Sequence, residues 1–160
     1  MEIKKYSIAN DGSFNLILGM SHFIKTIDDL AEIISTTVPN AKFGIAFCEA
    51  SGPCLIRQEG NDKELIDKGI GIMKDIKAGH SFVILLKDCY PINILSKVKM
   101  CDEVVRIFCA SANSITVLSI EENGGASIIG VIDGLSPKGV ENEDDIKKRR
   151  DFLKMIKYKY

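Results

Sequence analysis

Residues 43–57 read FGIAFCEASGPCLIR, and this stretch decides the fold class. Phe43 to Phe47 is an apolar run of strand length, and Ser51-Gly52-Pro53 is a turn signal that sends the chain back through a second strand-like run, Cys54 to Arg57. Directly behind it, Asn61 or Asp62 is placed to cap a helix with Leu65, Ile66, Ile70, Met73 and Ile76 on its apolar face. Gly79 reads as the residue that ends this helix, and Ser81 to Leu86 returns to a buried-type strand. Strand, turn, strand, helix, strand is the grammar of a sheet with helices packed on it.

Outward from that core the same elements recur. Toward the N-terminus, Met1 to Ile8 reads as a strand, Asn10-Asp11-Gly12 as a turn and Phe14 to Leu18 as a second strand, which together predict a hairpin. Thr26 with Asp29 resembles a capping box, opening a helix that buries Ile27, Leu30, Ile33 and Ile34 and stops before Pro39. Toward the C-terminus, Pro91 suits the first position of a short helix through Val98. Val104 to Phe108 is a strand, and Ile115–Ile120 with Ala126–Ile132 reads as a hairpin around Asn123-Gly124-Gly125. A charged amphipathic helix closes the chain. The sum is about eight strands and about four helices in an α+β (or α/β) domain with a mixed sheet, residues 1–160 forming one unit. Gly69 and Gly71 inside the second helix lower its propensity and invite close packing.

Composition narrows the function. The chain has 160 residues, 46% hydrophobic and 27% charged, which is ordinary globular usage. Lys and Arg total 21 against 22 Asp and Glu, a net charge of -1, and a nucleic-acid binder would carry a basic excess. Acidic Glu141–Asp145 ahead of basic Lys147–Arg150 is the order that a helix dipole favours. Five cysteines form no CxxC pair, the opening MEIKKYSI has no signal-peptide run, and no apolar stretch reaches the length of a spanning helix. These features predict a cytoplasmic protein that binds neither membrane nor nucleic acid. The apolar strands also predict a homo-oligomer.

No P-loop, GxGxxG, HExxH or GxSxG signature is present. Histidine is scarce: only His22 and His80 occur, so any imidazole chemistry uses one of them. His22 lies between a strand end and a helix start, beside Ser21 and Lys25, where an anion is favoured. Other polar groups fall at strand ends, where ligand sites gather. Glu49, Ser51 and Gly52 follow the first quoted strand, and Arg57 stands in the second. Asp88, Tyr90 and Asn93 sit at a strand-to-helix junction, where Asp88 either caps the helix or holds a metal or a ribose hydroxyl. Arg106, inside an apolar strand, requires a carboxylate or a phosphate as partner if buried. Asn113 and Asp133 follow two later strands.

Six stretches, taken in order, resemble the successive blocks of a known family: SHFIKTIDDL, FGIAFCEASGPCLIR, GNDKELI, AGHSFVILLKDCYPINIL, VVRIFCASAN and GVIDGLSPKGVE. The chain resembles the adenosine-specific kinases, compact domains of archaea and thermophilic bacteria. The resemblance implies recognition of adenosine or AMP and a histidine that carries a phosphoryl group, His22 or His80. Lys25, Arg57 and Arg106 are then candidates to neutralise charge, and Asp88 or Asp133 to hold a metal. Magnesium is implied only if a nucleotide is the phosphoryl donor. The alternative is a non-enzymatic module that senses or sequesters adenosine or AMP.

Overall fold

Ser81–Lys87 (SFVILLK) is the central strand, and every residue in it except Lys87 is buried. Here we number the elements of the computed structural model, which describes residues 2–160. In chain order they are β1 (Lys4–Ile8), β2 (Asn15–Ser21), α1 (Thr26–Thr37), β3 (Lys42–Cys48), β4 (Ile56–Gly60), α2 (Lys63–Ile76), β5 (Ser81–Lys87), α3 (Pro91–Lys99), β6 (Val104–Ser111), β7 (Ile115–Glu122), β8 (Gly125–Asp133) and α4 (Glu143–Met155).

Strand alternation sends β5 side chains to two faces. Phe82, Ile84 and Leu86 meet Ile17, Phe43, Ile45 and Phe47 of neighbouring strands under α1 and α3. Val83 and Leu85 meet Leu16, Leu18 and Ala46 under α2, together with Ile115, Val117 and Ile128 of a second sheet. Each fully buried side chain of this kind contributes about 1.5–3 kcal/mol. The strand order is β4-β3-β5-β2-β6 in the larger sheet and β1-β7-β8 in the smaller.

The α+β class with eight strands and four helices is as the sequence implies. The strands divide into two sheets, however, and every pairing between them is antiparallel. The N-terminal hairpin does not form: β1 pairs with β7, Ile8 opposite Ile115. The reason lies in the two patterns. β1 (KKYSI) buries little and suits a sheet covered on one side, whereas β2 buries Leu16, Ile17 and Leu18 completely and needs the middle of the larger sheet. Asn10-Asp11-Gly12 still turns the chain, its Asn10 amide bonding to Phe14 O and Ala112 O, but it passes the chain from one sheet to the other. Met1, expected at the start of the first strand, lies outside the described residues.

Two helix ends and one strand start also differ in detail. Lys25, not Thr26, holds the N-cap position of α1, because Thr26 Oγ1 donates back to Phe23 O at 2.5 Å. Asp62 caps α2 as expected, accepting from Leu65 N at 3.1 Å. That helix ends on Lys77 in the left-handed region (φ 57) rather than on Gly79. β4 begins at Ile56, later than expected, because Cys54 takes φ 51 and prolongs the turn. The β7–β8 hairpin forms as read, with Asn123 (φ 52) and Gly124 (φ 82) in a two-residue turn.

Gly44 is where α2 approaches the sheet most closely: a Cβ there would lie 2.3 Å from Ile66 N. Gly69 makes only ordinary contacts, and a Cβ on Gly71 would enter open space. None of α4 is buried, and no helix among the described residues is long and apolar enough to cross a membrane.

These contrasts give opposite outcomes for one added methyl group. Gly71→Ala raises stability by about 0.5–1 kcal/mol through helix propensity, whereas Gly44→Ala lowers it because helix backbone must move. Urea melts of the two variants check the pair.

Candidate functional site

The strand order places β3, β5 and β2 side by side, and the chain leaves β2 and β3 at the end where it enters β5. His80, directly before β5, has φ 60. Its N–H donates to Cys48 O at 2.7 Å, and its carbonyl accepts from Ser21 N at 2.9 Å. One residue therefore ties the ends of two strands together. Its imidazole stacks on Phe47, centroids 6.1 Å apart and planes 15° apart. His22, the next residue after β2, donates its N–H to Glu103 O at 3.1 Å. Both histidines line one cleft of about 350 Å³, with Phe23, Phe47, Glu49 and Ser51.

Glu49 and Arg57 shape the wall of that cleft. Glu49 Oε2 accepts from Leu55 N at 2.8 Å and Oε1 from Arg57 Nε at 2.9 Å. The Leu55 N–H, and then the Arg57 guanidinium, hold the Glu49 carboxyl below its usual range. The pair fastens the turn that carries Ser51 and Gly52. Beside His80, the Ser21 hydroxyl is buried with no hydrogen-bond partner among the described residues, an uncommon condition in a folded interior.

Below His22 lies a cluster absent from the sequence reading. Lys25 Nζ bridges Asp29 and Glu103 (3.3 Å to the latter), and Cys101 Sγ donates to Glu103 Oε2 at 2.8 Å. Glu103 is nearly inaccessible, its side chain 5% exposed. Burial works against its charge, but hydrogen bonds from Cys101, its own backbone and Lys25 hold its carboxyl down to about 2. Burial, followed by the Glu103 hydrogen bond, pushes the Cys101 thiol up to about 11.

The family profile described as adenosine specific kinase matches residues 6–159. The chain belongs to the adenosine-specific kinase family. Among solved structures it is similar to the crystal structure of the PH1918 protein from Pyrococcus horikoshii OT3, with 40% identity and a TM-score of 0.94 over 99% of this chain and 98% of that one. No curated protein matches the chain.

For an adenosine-specific kinase, the carboxylates at this end fit a magnesium ion poorly. Both oxygens of Glu49 are engaged. Asp29, Cys101 and Glu103 bring their ligand atoms within 4.8 Å of one another, but Lys25 already pairs with both carboxylates, and a thiol is a poor ligand for this hard cation.

Several residues singled out in the sequence stand elsewhere. Asn15 pairs with Leu86 and Leu16 with Ser111, so the residues after β5 and β6 lie at the far end of the sheet from the histidines. Asp88 is in a left-handed turn there (φ 56) and does not cap α3. The Asn93 side chain instead accepts from Tyr90 N at 2.8 Å. Asp133 Oδ1 accepts from Ser111 Oγ (2.6 Å) and Asn113 Nδ2 (3.0 Å), a tie between the two sheets. Arg106, by contrast, lies at the histidine end, opposite Met20; it is exposed on the edge strand β6 outside the cleft lining, its guanidinium 5.7 Å from the Phe108 ring centroid, with no carboxylate partner among the described residues. The sequence reading missed Phe23, Phe47 and Glu103; the acidic pair Asp102-Glu103 directly before the strand-like run Val104–Phe108 was the only signal for Glu103.

Because its carboxyl is depressed below the ordinary 4.5, Glu103 contributes stability that is present above the unfolded value and lost as pH falls toward about 2. Glu103→Gln removes that contribution, so the variant loses less stability than the parent between pH 4.5 and 2. Thermal melts across this range read the difference.

Proposed function

We propose that this protein phosphorylates adenosine through a phosphohistidine, with His80 as the carrier. The observation that supports His80 is its fixation: both of its backbone groups are bonded to strand ends and its ring is stacked on Phe47. His22 is exposed at the lip of the same cleft, against Phe23. A non-glycine residue held at positive φ beside a cleft is the kind of strain that functional sites retain.

In the first step an imidazole nitrogen of His80 attacks the donor's terminal phosphorus. The N–P bond forms, and the P–O bond to the leaving group breaks. In the second step a hydroxyl oxygen of adenosine attacks the same phosphorus, the N–P bond breaks, and His22 accepts the hydroxyl proton. Charge on the transferring group is met by backbone rather than by free cations. Arg57 is committed to Glu49, and Lys25 to Asp29 and Glu103. The N–H groups of Phe23, Ile24 and Lys25, in the turn that leads into α1, donate to no other described residue, and the helix dipole behind them favours an anion. Phe23, 51% exposed, offers a face on which adenine can stack.

One observation favours a second reading, a non-enzymatic adenosine or AMP sensor. The carboxylate that lines the cleft, Glu49, is fully engaged and cannot act as a base. Turnover separates the two, since a binder saturates without making product. The exposed Phe152, Met155 and Tyr158 on and after α4 are in keeping with a homo-oligomer in either case.

The test supplies ATP as donor and measures acid-labile phosphate on the protein. His80→Gln abolishes the phosphoenzyme, whereas His22→Gln retains it and slows transfer to adenosine by about 10²-fold. A phosphoenzyme that survives His80→Gln sinks the assignment. Calorimetric titration with adenosine, AMP and guanosine accompanies it, and binding of adenosine and AMP without guanosine is expected.

A further inference from the structure

Behind the wall that carries Glu49 and Ala50 lies a second cavity, about 550 Å³ in volume and thus larger than the histidine cleft. Glu49 and Ala50 line both spaces, Gly79 lines this one and His80 the other. The two stand back to back with a partition one residue thick. The partition is tight: a Cβ on Gly79 would come within 2.9 Å of the Ala50 Cβ.

The chemistry of this cavity differs from that of the cleft. Its apolar lining is Leu55, Ile56 and Ala126, with the fully buried Met73 behind them. Its rim carries Lys74 and Lys77, and neither has a carboxylate within ion-pair distance among the described residues. Among the described residues Glu49 is the one carboxylate that lines this cavity, and Glu121 and Glu122 share an adjoining space with Lys77. Glu49 is held by Leu55 N and Arg57, and Glu121 pairs with Lys4 at 2.6 Å and accepts from Tyr6 at 3.2 Å.

Lys77 adds an independent observation. It closes α2 in the left-handed region (φ 57), a position where glycine or asparagine is the unstrained choice. A lysine there costs backbone energy, and it sets a cation over the cavity. The helix dipole is complemented equally well by Lys74 on the last turn, so the dipole alone does not call for a second lysine in a strained position.

We infer that this cavity is a second ligand site, separate from the histidine cleft, for a nucleotide-sized organic phosphate whose apolar part rests on Leu55 and Ile56 and whose phosphates meet Lys74 and Lys77. Ligand in it presses on the partition that positions His80, so occupancy of one space alters affinity in the other. The inference does not depend on phosphohistidine chemistry, since it needs only the two spaces and their shared wall.

The experiment titrates ATP, as its non-hydrolysable analogue so that no phosphoryl transfer occurs, into protein already saturated with adenosine, then repeats the titration with Lys74→Gln/Lys77→Asn. Asparagine tolerates the left-handed backbone, and a thermal melt verifies that the variant is folded. Lys74→Glu alone is a second variant that leaves Lys77 untouched. Expected are ATP binding to the adenosine-saturated protein, weakened at least about tenfold by the double substitution and by raised salt, and adenosine affinity in the variant within about twofold of the parent. ATP that displaces adenosine one for one, or that binds the folded variants as tightly as the parent, overturns the second site. Protein that binds ATP through these lysines but never binds adenosine keeps the second site and overturns the proposed function instead.

Discussion

The burial of β5 on both faces is the constraint from which the rest of the architecture follows. A strand with no exposed face needs a neighbour on each edge and a layer above and below. β3 and β2 take the edges, α1 and α3 cover one face, and α2 with the smaller sheet covers the other. Once those partners are in place, the chain segments at the beginning of β5 and the ends of β2 and β3 converge. The histidine cleft is formed by that convergence, lined by Phe47, His80 and the turns at residues 22–24 and 49–53 that follow β2 and β3.

How far the sequence disclosed this depended on whether the information was local. Strong periodic runs such as Phe43–Phe47 and Ser81–Leu86, and turn chemistry such as Asn123-Gly124, translated directly into elements. The N-terminal turn at Asn10-Asp11-Gly12 was equally well formed, but which strands pair across it depends on how many faces each buries, which is a tertiary matter. The site divided in the same way. His22, His80, Glu49 and Ser51 were visible as polar residues at strand ends, and strand order brings them together. Asp88, Asn93, Asn113 and Asp133 gave the same local signal, yet antiparallel pairing carries them to the opposite end of the sheet. A junction's position along the chain does not reveal which end of a sheet it occupies. Glu103 escaped notice because its partners, Lys25, Asp29 and Cys101, come from two separate segments.

The electrostatics of the histidine end are largely settled within the protein. Lys25 and Arg57, the cations nearest the cleft in sequence, each spend their charge on buried or half-buried carboxylates. On the proposed function, a phosphate arriving there meets N–H groups of the turn leading into α1, and dipoles held by the fold need no rearrangement as charge develops.

The left-handed backbone at His80 has a consequence for how this sequence can drift. Glycine would adopt φ 60 without strain, so selection for folding alone would drive position 80 toward glycine. On the proposed phosphohistidine role, the strain at this position is retained for its imidazole. A descendant that had abandoned the histidine's work would gain robustness by the exchange, and the identity of this one residue would then record whether the chemistry had been retained.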